Sequence, residues 1–268
     1  MKEKDFACAK IVYDALCIKS DHLDQNGVIR PFKYIVAIDD DVTSAIWAVK
    51  NAREIHRIYG FYPTILCVGG KGMLSRHLYN ESEAEVLANT CSSLGYIGDL
   101  LWVQGLDTGK NAVENIRNIA MMVDVNYFNR PNVLFCVTKR QSLIYSQIQR
   151  KQVPHLNAYW FVIEETLEEA CKMMNAKSLC GGEMMLHELA GILPRCEREA
   201  GITQAPMFVV SPEVRAAADY LADRYRLKLP NKNLRSYLQY AKLYLSVLWH
   251  NDQIYDAIED AIYDELSE

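Results

Sequence analysis

Five short apolar runs decide most of what this chain can fold into: Tyr34–Ile38, Thr64–Val68, Leu100–Val103, Val133–Val137 and Ala158–Ile163. Each has the length of a buried strand, and helical periodicity fills the stretches between them. Those stretches run over Ser44–Tyr59 with Gly60 as a stop, Ser82–Ser93, Ala112–Val123 and Ser142–Arg150. Right-handed crossovers make parallel neighbours, so the rhythm predicts an α/β fold. The expected architecture is a Rossmann-like, doubly wound, mostly parallel sheet of about five strands.

Around that domain, set at 31–165, the pattern changes. Residues 1–30 read as an N-terminal helical lead, with a helix over Phe6–Leu23 ending at Asp24-Gln25-Asn26-Gly27. Past Glu164 the alternation stops, and 166–268 read as a mainly helical small domain or cover. Its expected helices are Thr166–Ala176, Glu183–Ile192, Pro212–Tyr225 and Leu234–Trp249, with a short edge strand at Pro206–Val210. Asn251–Glu268 has no Lys or Arg, and its Ile254, Ile258 and Ile262 sit four apart, as on a helix packed by one face.

Composition narrows the partners. The 268 residues are 50% hydrophobic and 24% charged with a formal net charge of -5, a globular balance that gives no help to binding a polyanion. Nucleic acid is therefore not expected. No run approaches the roughly 18 apolar residues of a membrane span, so the reading is a soluble, cytoplasmic protein with no membrane partner. The eight cysteines contain no C-x-x-C pair, and Cys67 and Cys136 lie inside apolar runs as small core residues.

Three motifs cluster at the ends of strands. Gly69-Gly70-Lys71-Gly72 follows the second run directly, and a turn without Cβ atoms lets backbone N–H groups approach a ligand closely. It lacks the spacing of a Walker A loop. Ser82 and Glu85 are spaced as a capping box, and Asn111 and Glu114 repeat the spacing. Caps account for those four residues and leave Glu83 and Asn115, two polar side chains in first turns, available to a crevice.

Charge at this edge is mixed. Asp39, Asp40, Asp41, Glu83, Glu85, Asp107 and Glu114 stand against Lys71, Arg76, Lys110, Lys139 and Arg140. Two like charges 4 Å apart cost about 4 kcal/mol at an effective dielectric near 20. A phosphate here calls for a divalent metal between it and the carboxylates. Alternatively the ligand carries hydroxyls and positive charge. Glu183 and His187, four apart, have the spacing of a metal pair but read more simply as a surface contact. Ser-His-Asp catalysis has no anchor, since no G-x-S-x-G elbow occurs.

These motifs together (Gly69-Gly70-Lys71-Gly72, Ser82-Glu83-Ala84-Glu85-Val86, Asn111-x-x-Glu114-Asn115 and Val137-Thr138) resemble the YdcF, SanA and ElyC family, whose shared domain has no assigned function. The likeness covers roughly residues 33 to 165. The later stretch through Leu193-Pro194-Arg195 and Phe208 to Ala216 is similar to the soluble YdcF branch. The resemblance implies a Rossmann-like sheet with a small extra domain, a site at the motif loops, and S-adenosylmethionine as ligand. Its envelope-associated branches imply surface-polymer assembly. The family commonly carries His and Arg after Val-Thr, where this chain has Ser142 and Tyr145, and Gly109 and Ala112 replace hydroxyl residues.

The leading expectation is a protein that binds a nucleoside-containing small molecule such as S-adenosylmethionine. Gly69, Gly70 and Gly72 would supply donors beside Lys71, and Glu83 or Asp39, with Asp40, would hold hydroxyls or charge. Asn111, Glu114 and Asn115 would form the opposite wall, with Thr138, Lys139 and Arg140 on the neighbouring strand end. A second reading is a metal-assisted phosphate or sugar-phosphate hydrolase or transferase linked to the cell envelope. A third is a non-catalytic interaction protein that docks a partner, or a second copy, through its helical C-terminal half.

Overall fold

The five apolar runs form five parallel strands: β1 (Tyr34–Ile38), β2 (Thr64–Val68), β3 (Leu100–Val103), β4 (Asn132–Thr138) and β5 (Asn157–Ile163). They lie in the order β3-β2-β1-β4-β5. The computed structural model describes residues 2–16, 18–38, 42–70, 81–103, 112–124, 130–177, 185–187, 189–194 and 210–225. Helix α1 (Glu3–Ala15) precedes the sheet, and α2 (Thr43–Tyr59), α3 (Glu83–Ser93), α4 (Ala112–Met122) and α5 (Lys139–Gln152) connect its strands. Helices α6 (Leu167–Lys177) and α7 (Pro212–Tyr225) follow, and residues 185–187 and 189–194 are helical too. This is a doubly wound, Rossmann-like α/β sheet with a helical C-terminal region.

The continuous apolarity of the strands has a direct cause. Ile35, Ala37, Ile65, Cys67, Leu134 and Cys136 pack with Ala45, Ala48 and Ala52 of α2 and Leu87 and Ala88 of α3. Their alternate neighbours Val36, Ile38, Leu66, Val68, Phe135 and Val137 pack on the other side with Ile116 and Ile119 of α4 and Tyr145 and Ile148 of α5. Both faces are covered, so neither residue parity can be polar. Burying one such side chain contributes about 1.5–3 kcal/mol, which makes this double layer the main source of cohesion in the sheet.

The chain divides into two compact units: Cys17–Glu165 with Cys196–Phe208, and Met1–Leu16 with Thr166–Arg195 and Val209–Glu268. In the second, α1 packs on α7 around a buried carboxylate. Asp5 is 1% exposed, accepts hydrogen bonds from the hydroxyls of Tyr220 (2.8 Å) and Tyr225, and pairs with Arg224 Nε at 3.3 Å. The Tyr225 hydroxyl, with Tyr220 and Arg224, holds its carboxyl below the ordinary aspartate range against the opposing effect of burial. A buried charge is tolerated only with such partners.

Two sequence expectations change here. The helix expected over Phe6–Leu23 ends at Ala15. Residues 18–22 run extended along β5 instead: Asp21 N donates to Trp160 O (3.0 Å), Trp160 N to Asp21 Oδ1 (2.6 Å) and Val162 N to Ser20 Oγ (2.9 Å). The outward amides of an edge strand need acceptors, and this demand overrides the helical spacing. The strap then turns at Asp24–Gly27, where Gly27 takes a φ of 76° and Asp24 Oδ1 accepts from Asn26 N and Val28 N. Helix α5 also begins three residues before the expected Ser142, directly at the end of β4. The expected helix at Glu183–Ile192 is described only in part. Leu234–Trp249 and Asn251–Glu268, and Pro206–Val210 apart from Val210, lie outside the described residues. Among the described residues no helix is long and apolar enough to cross a membrane.

Candidate functional site

From β1 the chain winds outward through β2 to β3, then crosses back to place β4 on the other side of β1 and β5 beyond it. In an open sheet the crevice at such a reversal, beyond the carboxyl ends of the strands, is where ligands sit. Ala37 of β1 pairs with Cys67 of β2 on one side and Cys136 of β4 on the other. Gly69, just past β2, and Thr138, the last residue of β4, each two residues further on, therefore lie on either side of the end of β1.

Gly69 takes a φ of 145°, which disfavours any side chain. A Cβ there would lie 2.5 Å from Glu83 Oε2 and 2.7 Å from Glu83 Cβ. The glycine is thus required by the close approach of Glu83, whose side chain crosses the end of β2. The contact is fixed by the backbone, because Glu83 N donates to Gly70 O and Ala84 N to Gly69 O, both at 3.1 Å. Ser82 caps the same turn: Glu85 N donates to Ser82 Oγ (3.2 Å) and Ser82 N to Glu85 Oε2 (3.3 Å), completing the capping box. The first three amides of α3, which a helix start normally leaves without intrahelical partners, all have acceptors here.

The glycine turn has a structural task beside the one expected of it. Gly69 and Gly70 turn their carbonyls to α3 as acceptors, so this loop also anchors the helix start. The remainder of the motif, Lys71 and Gly72, lies outside the described residues, as do Asp39, Asp40 and Asn111.

Across the crevice the chemistry is opposite. β4 passes into α5 at Thr138, which is 2% exposed and makes no side-chain cap hydrogen bond to the helix. Lys139 and Arg140 are therefore first-turn residues of α5, in place of the strand-end positions expected for them. No acidic residue occupies that turn. Ser142 and Tyr145, at the family's His and Arg positions, are buried: Ser142 Oγ donates to Lys139 O at 2.9 Å, and Tyr145 packs in the core under α5.

Glu114 and Asn115 sit in the first turn of α4, which lies on the sheet face opposite α3. Glu83 and Asn115 thus belong to helices on opposite sides of the sheet. Asn115 is 5% exposed, and its Oδ1 has no hydrogen-bond partner among the described residues. A buried amide oxygen in that state has unused acceptor capacity, worth about 1–3 kcal/mol once satisfied.

Other sequence candidates are resolved by their surroundings. Cys67 and Cys136 are fully buried, and the contact with the Cys91 thiol together with burial (Cys67) and burial together with the nearby Cys91 (Cys136) push their thiols upward, the setting of inert core cysteines. His187 turns a ring nitrogen to Tyr225 O, and Glu183 lies outside the described residues. No cluster of three or more His, Cys, Asp or Glu able to hold a metal occurs among the described residues. Sequence reading missed the Asp5 cluster and the Ser20–Asp21 strap. Only the polar residues interrupting helical spacing at Ser20, Asp21 and His22 signalled the second.

Fold and crevice together define a doubly wound α/β protein with its candidate site at the strand-order reversal. Compared with protein-family models, curated proteins and solved structures, the chain matches none.

Proposed function

We propose that this protein binds a nucleoside-containing small molecule at the carboxyl edge of its sheet, in the crevice between β2, β1 and β4. The observation that carries the reading is the seat of Gly69 under Glu83. A strand is followed by a glycine whose missing Cβ makes room for a carboxylate at the end of β2, next to the strand at which the order reverses. Acceptors lie toward β2 and α4, and Lys139 and Arg140 open the helix beyond β4. A ligand with hydroxyls or positive charge at one end and negative charge at the other matches this polarity. S-adenosylmethionine, the ligand that the resemblance to the YdcF branch implies, has that form, and the motif residues Gly70, Glu114, Asn115 and Thr138 support the same reading.

Titration calorimetry with S-adenosylmethionine, plain nucleosides, nucleotides and divalent metals tests it. Saturable binding of a nucleoside ligand, weakened at least tenfold in Gly70→Val, is the expected result. No binding, or binding indifferent to that substitution, rejects it. Magnesium-dependent phosphate release from a sugar phosphate would favour the hydrolase reading instead.

A further inference from the structure

We propose that the cavity between α2 and the hairpin turn of residues 22–30 binds a small uncharged ring compound carrying one hydrogen-bond donor, a molecule of the indole or phenol class. This site is separate from the crevice. Helix α2 leaves β1 at the carboxyl edge and runs back toward the start of β2, so its last turns lie at the amino edge of the sheet. Every residue that lines the cavity belongs to one compact unit of the chain.

Its walls are set before any ligand arrives. Leu23 and Ile29 pair as an antiparallel bridge, with Asp24 N donating to Val28 O (2.7 Å) and Arg30 N to His22 O (3.1 Å). The Tyr59 hydroxyl donates to Ile29 O at 2.8 Å and ties this turn to the end of α2. Between the two lies a space of about 340 Å³. An apolar cavity of about 150 Å³ already takes benzene, so this one has room for two fused rings.

The lining selects the chemistry. Leu23, Val28, Ile29 and Ile58 present aliphatic surface. Leu23 and Val28 are exposed, and a seated ring would cover them. Charge is cancelled locally, because Arg57 Nε donates to Glu54 Oε2 at 2.8 Å in a two-bond ion pair. His22 adds none: burial lowers its pKa below the ordinary histidine value, and its ring stands edge-on to Phe161 at 4.9 Å. An ionic ligand therefore finds no uncompensated opposite charge among the lining residues.

Asn51 supplies the polar contact. It is 8% exposed, and its Nδ2 donates to Trp47 O (2.9 Å) and Cys136 Sγ (3.7 Å). The carbonyl of Trp47 fixes which end of the amide is the donor, and Oδ1 accepts no hydrogen bond among the described residues. An acceptor left open in a largely apolar wall is satisfied by one N–H or O–H of a ligand.

The test titrates indole, its donor-free analogue benzothiophene, and the charged compounds tryptamine and indoleacetate into the isotope-labelled full chain, followed by NMR. Indole should bind saturably, shift the amides of residues 22–29 and 51–58, and bind at least fivefold more tightly than the other three. Val28→Trp, a surface change that fills the space, should weaken indole at least tenfold. Asn51→Leu, checked for folding by circular dichroism, should bring indole and benzothiophene within about twofold of each other. The comparison of ligands on the full chain and Val28→Trp decide the matter even where Asn51→Leu does not fold. No saturable binding, equal binding of indole and benzothiophene, or tighter binding of a charged compound overturns the proposal. So do shifts confined to the carboxyl edge, indole affinity unchanged in Val28→Trp, or a preference for indole retained in Asn51→Leu. Each of these results leaves nucleoside binding at the other edge untouched.

Discussion

Two helices start at the carboxyl edge of the same sheet, and they start in opposite ways. At α3 every first-turn amide has an acceptor, Ser82 and Glu85 cap each other, and two carboxylates complement the positive end of the helix dipole. At α5 the strand passes straight into the helix, no side chain caps it, and Lys139 and Arg140 repeat the dipole's own sign. The α3 start is finished within the protein. At the α5 start the sequence places a basic residue, Lys139, where the dipole favours an acidic one.

The contrast can be broken most forcefully at Gly69. Gly69→Val places a branched side chain against Glu83 Cβ in a disfavoured backbone region, and a loss of about 3 kcal/mol is expected in urea denaturation. A loss below about 1 kcal/mol would mean that α3 can slide off the end of β2, and that its saturated start is incidental. Ser82→Ala should cost about 1 kcal/mol by the same measurement, since it removes the acceptor for Glu85 N.

At the other helix the sign should reverse. Lys139→Glu is expected to stabilise the protein by about 0.5 kcal/mol at low ionic strength, fading in high salt, while weakening any anionic ligand. Destabilisation would show that the contacts Lys139 makes within the protein outweigh the dipole, and that the two starts are alike. The smallest effect concerns a third helix start. Thr166 and Glu169 form a box at α6, with Thr166 N donating to Glu169 Oε2 (2.7 Å) and Glu169 N to Thr166 Oγ1 (3.1 Å). The Thr166 amide holds the Glu169 carboxyl below its ordinary value. A depressed carboxyl stabilises the fold above its unfolded pKa, and that contribution is lost as pH falls through the folded one. The Glu169 carboxyl resonance should therefore titrate below the ordinary glutamate range in NMR, and Thr166→Val, which removes the hydroxyl and keeps the amide, should move it only part of the way back.

How much of this could be read from residues alone depended on how local the cause was. The strand runs, the stop at Gly60 with its left-handed φ of 76°, and the Ser82–Glu85 box are decided within a few residues, and the chain states them openly. Gly69 and Glu83 were both visible as candidates. That one exists to make room for the other follows only from the path of α3 back onto β2. The Asp5–Tyr220 bond joins residues 215 positions apart, and a lone aspartate in an amphipathic helix gives no sign of it. The early start of α5 is not legible in the residues because Lys139 and Arg140 repeat the sign of the dipole at a helix N-terminus, and the packing of Tyr145 and Ile148 on the sheet prevails over that.

The strap beside β5 has a consequence for how this protein behaves in company. A flank whose amides are already engaged offers no template to an extended segment of another molecule, so on that side the sheet has a definite end. Ser20 and Asp21 supply through two side chains what a sixth strand would supply through its backbone. A sixth strand would have left a fresh flank for a seventh; these two residues leave none.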